Sequence, residues 1–104
     1  MKKVFFLILT ITLVGCEVDP DATYSVLYYG NGETSGFAPV DRNSYLAGET
    51  AVVKEKGSLL KTGYQFKNWN TKQDGSGETY HTGDALTIKK LDVFLYAVWE
   101  EEGK

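Results

Sequence analysis

The sequence predicts a small, mainly β domain, α+β at most, and three observations carry that prediction. Short runs rich in aromatic and β-branched residues recur along the chain. Gly and Asn/Asp turn signals separate them every eight to fifteen residues. No segment shows a convincing helical period. With 104 residues, the chain has room for one such domain.

The elements follow in order. Tyr24-Ser25-Val26-Leu27-Tyr28-Tyr29 reads as the opening strand and stops at Gly30-Asn31-Gly32. Thr50–Val53 is a second short strand, and Tyr45–Leu60 is the one stretch where a brief helical turn is expected. Gly63–Trp69 is a third. Within it Phe66 and Trp69 stand three apart, which a flat strand cannot place on one face. Either a bulge intervenes near Lys67-Asn68, or the two rings serve different clusters. Glu78–Tyr80 and Ala85–Ile88 are short segments on either side of Thr82-Gly83-Asp84. Val93–Trp99 is the longest and most apolar run and reads as a central strand. Val93, Leu95, Ala97 and Trp99 share one of its faces, and Phe94, Tyr96 and Val98 share the other. Both faces are apolar, so both are expected to be at least partly covered. Residues 100–104 read as an acidic, solvated tail.

Before this domain lies a segment of another kind. Lys2 and Lys3 precede an apolar stretch from Val4 to Val14, too short for a spanning helix of about 20 residues. This is the pattern of a secretory leader over residues 1–15. Its removal takes two of the 11 basic residues and leaves nine against 14 acidic ones, a balance of −5. That sign argues against nucleic acid and against a polybasic membrane patch. One cysteine and one histidine leave no intrachain disulfide, no CxxC knuckle and no multi-histidine metal site. No cofactor or metal is expected.

Leu13-Val14-Gly15-Cys16 resembles the lipobox of bacterial lipoproteins. The resemblance implies a thioether-linked diacylglycerol on Cys16, cleavage before it, and acylation of the new amino terminus. One acyl chain gives marginal binding, whereas two or three hold a protein stably without a spanning helix. Residues 16–23 then form the lipidated cysteine and an acidic tether. The expected location is the bacterial cell envelope, with the membrane reached through the lipid on Cys16.

The domain, residues 24–99, resembles a second family. Tyr24–Gly32 is similar to its opening strand and Asn-Gly turn, and Ala47-Gly48-Glu49-Thr50 with Val52 to its GE-x-V segment. Gly63-Tyr64-Gln65-Phe66-Lys67-Asn68-Trp69 matches its G-Y-x-F-x-x-W core, Asp74–Tyr80 with Gly83 its polar turn, and Leu95–Trp99 its closing L-Y-A-x-W. These residues resemble the Listeria–Bacteroides repeat, the internalin B-type B-repeat. The resemblance implies a small β-grasp-like mixed sheet with the first and last strands central and parallel. It also implies a spacer, interaction or adhesion module with no catalytic residues. The family usually occurs in tandem. One copy is expected to make up the whole mature chain, which disfavours the spacer role.

Catalytic constellations are weak. Ser76, His81 and Asp84 lie in one loop-rich stretch, but nothing supplies a nucleophile elbow. Asn70–His81 fails as an EF-hand loop, since Lys72 and His81 stand where acidic ligands belong. Gly30–Gly36 is not a phosphate-cradling loop, and a domain this small leaves little room for a glycosidase cleft. The expectation is a non-enzyme. Tyr64, Phe66, Trp69, Leu95 and Trp99 are expected to fill the core. Tyr29, Tyr45 and Tyr80 are the candidates for an exposed patch that meets a protein or glycan.

The function expected from this reading is a lipid-anchored interaction or adhesion module, its partner an envelope or host protein or a glycan. A structural, envelope-stabilising lipoprotein is the second reading, and a small enzyme or inhibitor the third. Thr50–Val53 and Glu78–Tyr80 are the expected free edges, where a partner could add a strand beside Tyr45 or Tyr80.

Overall fold

The computed structural model describes residues 20–103. The leader and the Leu13–Cys16 motif lie outside the described residues. Among the described residues eight strands run in order: β1 (Thr23–Tyr24), β2 (Val26–Tyr29), β3 (Tyr45–Leu46), β4 (Thr50–Val52), β5 (Tyr64–Asn70), β6 (Thr79–Tyr80), β7 (Ala85–Thr87) and β8 (Val93–Glu101). No helix occurs among the described residues. Tyr45–Leu46, inside the stretch expected to hold a helical turn, is a strand followed by a turn.

The principal sheet has four strands in the order β2-β8-β5-β6. β2 and β8 pair in parallel, Val26 opposite Val93 and Tyr29 opposite Tyr96, as the family resemblance implied. β5 pairs antiparallel with β8 and with β6. Two small antiparallel sheets complete the domain, β1 with β3 and β4 with β7. Main-chain bonds from Gly48 to Ile88 and from Gly83 to Val53 extend the second of these at both ends.

The longest strand is a central one, but β2 is not: among the described residues it pairs with β8 alone and forms one edge of the sheet. The expectation of two central strands is corrected on that point. The chain breaks at Ser25, where β1 turns to pair with β3. Residues Pro39–Asp41 run beside the open edge of β2 without bonding to it. Pro39 has no N–H to offer, and Asp41 turns the chain away by accepting the Asn43 amide at 3.0 Å. The expected edges at β4 and β6 are edges in the structure. The tail is also corrected. β8 continues through Glu100 and Glu101, paired with Gln65 and Tyr64, because a ladder of main-chain bonds is indifferent to side-chain polarity.

Phe66 and Trp69 do share a face. The register of β5 against β8 shifts between Phe66 and Asn68, a bulge at the expected place. Phe66 then sits opposite Trp99 and Trp69 opposite Ala97, with the Phe66 and Trp69 rings edge-to-face at 5.1 Å. This inner face packs with Ala51, Val53, Leu59, Leu86 and Ile88 into one core. Trp69 and Leu95 are fully buried, Phe66 and Trp99 are half-buried against the core, and Tyr64 lies half-exposed under Lys61.

Two core aromatics grip one backbone unit. Trp69 Nε1 donates to the Lys54 carbonyl at 2.9 Å, and the Lys54 amide donates to the Tyr28 hydroxyl at 3.0 Å. Tyr28 packs edge-on against Trp69 at 4.8 Å. Burial pushes the Tyr28 phenol above its ordinary pKa. The strand that carries β4 is thereby fixed to the principal sheet through polar groups that the core would otherwise leave unsatisfied.

Candidate functional site

The outer face of the principal sheet is different. The alternation that turns Val26 and Tyr28 inward turns Leu27 and Tyr29 outward, and in β8 it turns Phe94 and Tyr96 the same way. Leu27 pairs with Phe94 and Tyr29 with Tyr96, so the four side chains form one stripe across two strands. Leu27 is 36% exposed, Tyr29 40% and Phe94 43%. Tyr29 stacks on Tyr96 at 5.2 Å and 20°, and lies 6.2 Å from Phe94 at 27°. Near-parallel rings this close overlap face to face with an offset. Tyr29 and Tyr96 therefore cover part of each other's faces.

The rest of this face is closed by the loop between β5 and β6. Asn70 is buried, and its side chain organises that loop. Its carbonyl oxygen accepts from the amides of Lys72 and Gly77 at 2.9 and 2.8 Å, and its Nδ2 donates to Gly75 O, Gly77 O and Thr79 Oγ1 at 3.1 to 3.2 Å. Asn31, in the left-handed region at φ 56°, ties the same loop down by donating to Gln73 O and Ala97 O. So the outer face is half-covered over Tyr96 and Val98 and open over Leu27, Tyr29 and Phe94.

Where β8 begins, the stripe runs into a hollow of about 720 Å³. Thr71, Glu78, Tyr80, Lys89, Leu91 and Phe94 are among the residues that line it. Tyr80 donates its hydroxyl to Glu78 at 3.1 Å; burial, and then this bond, push its pKa up.

The three candidate tyrosines are not brought together. Tyr29 belongs to the outer stripe. Tyr45 and Tyr80 are half-buried and pack against the inner core. The Tyr45 hydroxyl donates to Asp41 at 2.7 Å. Leu27, Phe94 and Tyr96 were missed as site residues. Their signal was the second apolar face of the last strand, which sequence reasoning expected to be at least partly covered.

Asp41 offers a pH test. Burial opposes its ionisation, but the bonds from Tyr45 and Asn43, helped by the Lys54 cation, outweigh burial and hold its carboxyl below the ordinary value. A depressed carboxylate contributes stability that is present above its unfolded pKa and lost as pH falls through its folded one. Tyr45→Phe is expected to move the Asp41 titration upward, read by carboxyl carbon NMR. An unmoved titration would contradict the assignment.

The residues weighed for chemistry are occupied in turns. Ser76 donates its hydroxyl to Asp74 at 2.7 Å, and Asp84 accepts the His81 main-chain amide at 2.7 Å with the imidazole 3.8 Å away. This is turn capping, not a Ser-His-Asp relay. Among the described residues no group of three or more His, Cys, Asp or Glu is placed to hold a metal. No helix among them is long and apolar enough to cross a membrane.

A mixed sheet in which β2 and β8 pair in parallel, with an apolar stripe open on its outer face, defines a small β module. The profile of the Listeria-Bacteroides repeat domain matches residues 24–98, and the chain belongs to that family. Two relatives come from Evansella cellulosilytica. One, provisionally named a Gly-rich membrane protein, is 40% identical over 77 residues, covering 74% of this chain and 9% of that protein. Another, provisionally named a membrane protein, is 37% identical over 76 residues, covering 73% of this chain and 11% of that protein. The chain thus spans about a tenth of the length of these curated relatives.

Proposed function

We propose that the chain is a lipid-anchored protein of the bacterial cell envelope that acts as a non-catalytic protein-interaction or adhesion module. The observation that carries the interaction reading is the stripe of Leu27, Tyr29, Phe94 and Tyr96. Apolar side chains open side by side on two bonded strands are the usual mark of a contact surface. Family membership supports a surface role, and the membrane-protein names of the relatives support an envelope location. The lipid anchor rests on Leu13-Val14-Gly15-Cys16 alone.

Two experiments test this reading. Cys16→Ser is expected to abolish lipid labelling and release the protein from membranes; equal membrane retention of variant and wild type overturns the anchor. For the contact, the mature chain is used to capture proteins from envelope and host-cell extracts, beside a Tyr29→Ser/Phe94→Ser variant. The expected result is a specific protein lost with the variant while its melting temperature stays close to wild type. Empty captures from both extracts, or capture indifferent to the stripe, overturn the module. A structural role in the envelope would then be the better reading, with a deletion phenotype in envelope integrity.

A further inference from the structure

The first residues of β8 overhang their neighbour. On the β5 side the ladder begins only at Tyr96, opposite Asn70, so Val93, Phe94 and Leu95 have no strand there. Direction then decides which groups are open. The Val93 amide donates to Ser25 O at 2.9 Å, toward β2, and in a ladder successive residues point to opposite sides. The Phe94 N–H and C=O therefore point away from β2, into the hollow beside Thr71, Glu78 and Tyr80. Neither group bonds to another described residue. A paired donor and acceptor at strand spacing is what an added strand uses.

The walls narrow the chemistry of the occupant. Glu78 and Asp92 bring two carboxylates to the hollow and Lys89 one ammonium, an excess of negative charge. Leu91, 75% exposed, and the Phe94 ring offer an apolar seat on the outer side. We propose that this hollow binds an extended peptide segment, which pairs its main chain with Phe94 and alternates apolar and basic side chains. The residue opposite Phe94 turns its side chain outward to Leu91 and Phe94. Its neighbours turn inward, where a basic head meets Glu78. This proposal deepens the reading of the chain as a protein-interaction module and rests on it.

The probe is a random-peptide display library, selected against the purified mature chain. Peptides with alternating apolar and basic residues are expected to be enriched. Binding of one such peptide is expected to slow exchange of the Phe94 amide about tenfold, read by NMR. Ala85→Trp, which fills the hollow from an exposed position, and Leu91→Asp, which removes the apolar seat, are each expected to abolish that binding. The melting temperatures identify which variants remain folded. No enriched peptide, an unchanged Phe94 amide, or equal binding by both folded variants overturns the proposal. So does a hollow that takes oligosaccharides and no peptides. Peptides lost with Tyr29→Ser but kept by Ala85→Trp overturn the hollow as the site while leaving the interaction module standing.

Discussion

Trp69→Ala is expected to leave most of the domain unfolded under conditions where the wild type is native. The side chain is 0% exposed, lies edge-on against both Tyr28 and Phe66, and satisfies the Lys54 carbonyl. Deleting a buried aromatic of this size costs about 3–5 kcal/mol. Here the Lys54 carbonyl also loses its shorter bond and keeps only the Thr82 hydroxyl at 3.3 Å. A domain's total stability is about 5–15 kcal/mol and a domain this small lies at the low end of that range, so little remains. Trp69→Phe keeps a smaller ring and loses both the bond to Lys54 and part of the buried volume, so an intermediate cost of about 2–3 kcal/mol is expected. Trp99 carried the same expectation from sequence but is only half-buried, bonded to Gly30 O at 2.8 Å, so Trp99→Ala is expected to cost distinctly less. Urea denaturation of the three variants decides the order. Equal midpoints for Trp69→Ala and wild type would refute the packing described above.

Asn70→Ala is expected to be the costliest polar substitution, by about 2–4 kcal/mol. Five bonds from one buried side chain hold the turn between β5 and β6, and alanine can replace none of them. The loss is local in origin. The amides of Lys72 and Gly77 are expected to exchange faster, and protease to nick residues 71–78, before the core opens. A variant that melts with the wild type and keeps both amides protected would show that the loop is held by other contacts.

Much of this was legible in the sequence wherever one local rule decides. The three-residue spacing of Phe66 and Trp69 demanded a bulge or two clusters, and the bulge is present. Alternation along Val93–Trp99 sorted the two faces of β8 correctly. The parallel pairing of β2 with β8 joins residues far apart in the chain, and it came from family resemblance. What stayed illegible depends on which neighbour arrives. Val26 and Tyr28 alternate with Leu27 and Tyr29, but only the core decides which pair faces in. Whether residues 37–44 pair with β2 rests on Pro39 and the Asp41 turn, neither of which has a periodic signal. Tyr29, Tyr45 and Tyr80 look alike in sequence. Their separation follows from lying on three strands with different sides turned to the core.

The parallel pairing of β2 with β8 has a mechanical consequence. The chain enters the sheet at the start of β2 and leaves it at the end of β8. Because the two strands run the same way, those points lie at opposite poles, about 30 Å apart along the nine residues of β8. Tension applied between these two points would slide the strands past each other instead of peeling them open. In shear the ladder bonds from Val26 to Tyr29 share the load and must fail together. In peeling they would fail one at a time, each at a lower force. The fold is therefore oriented to resist extension along its own chain direction.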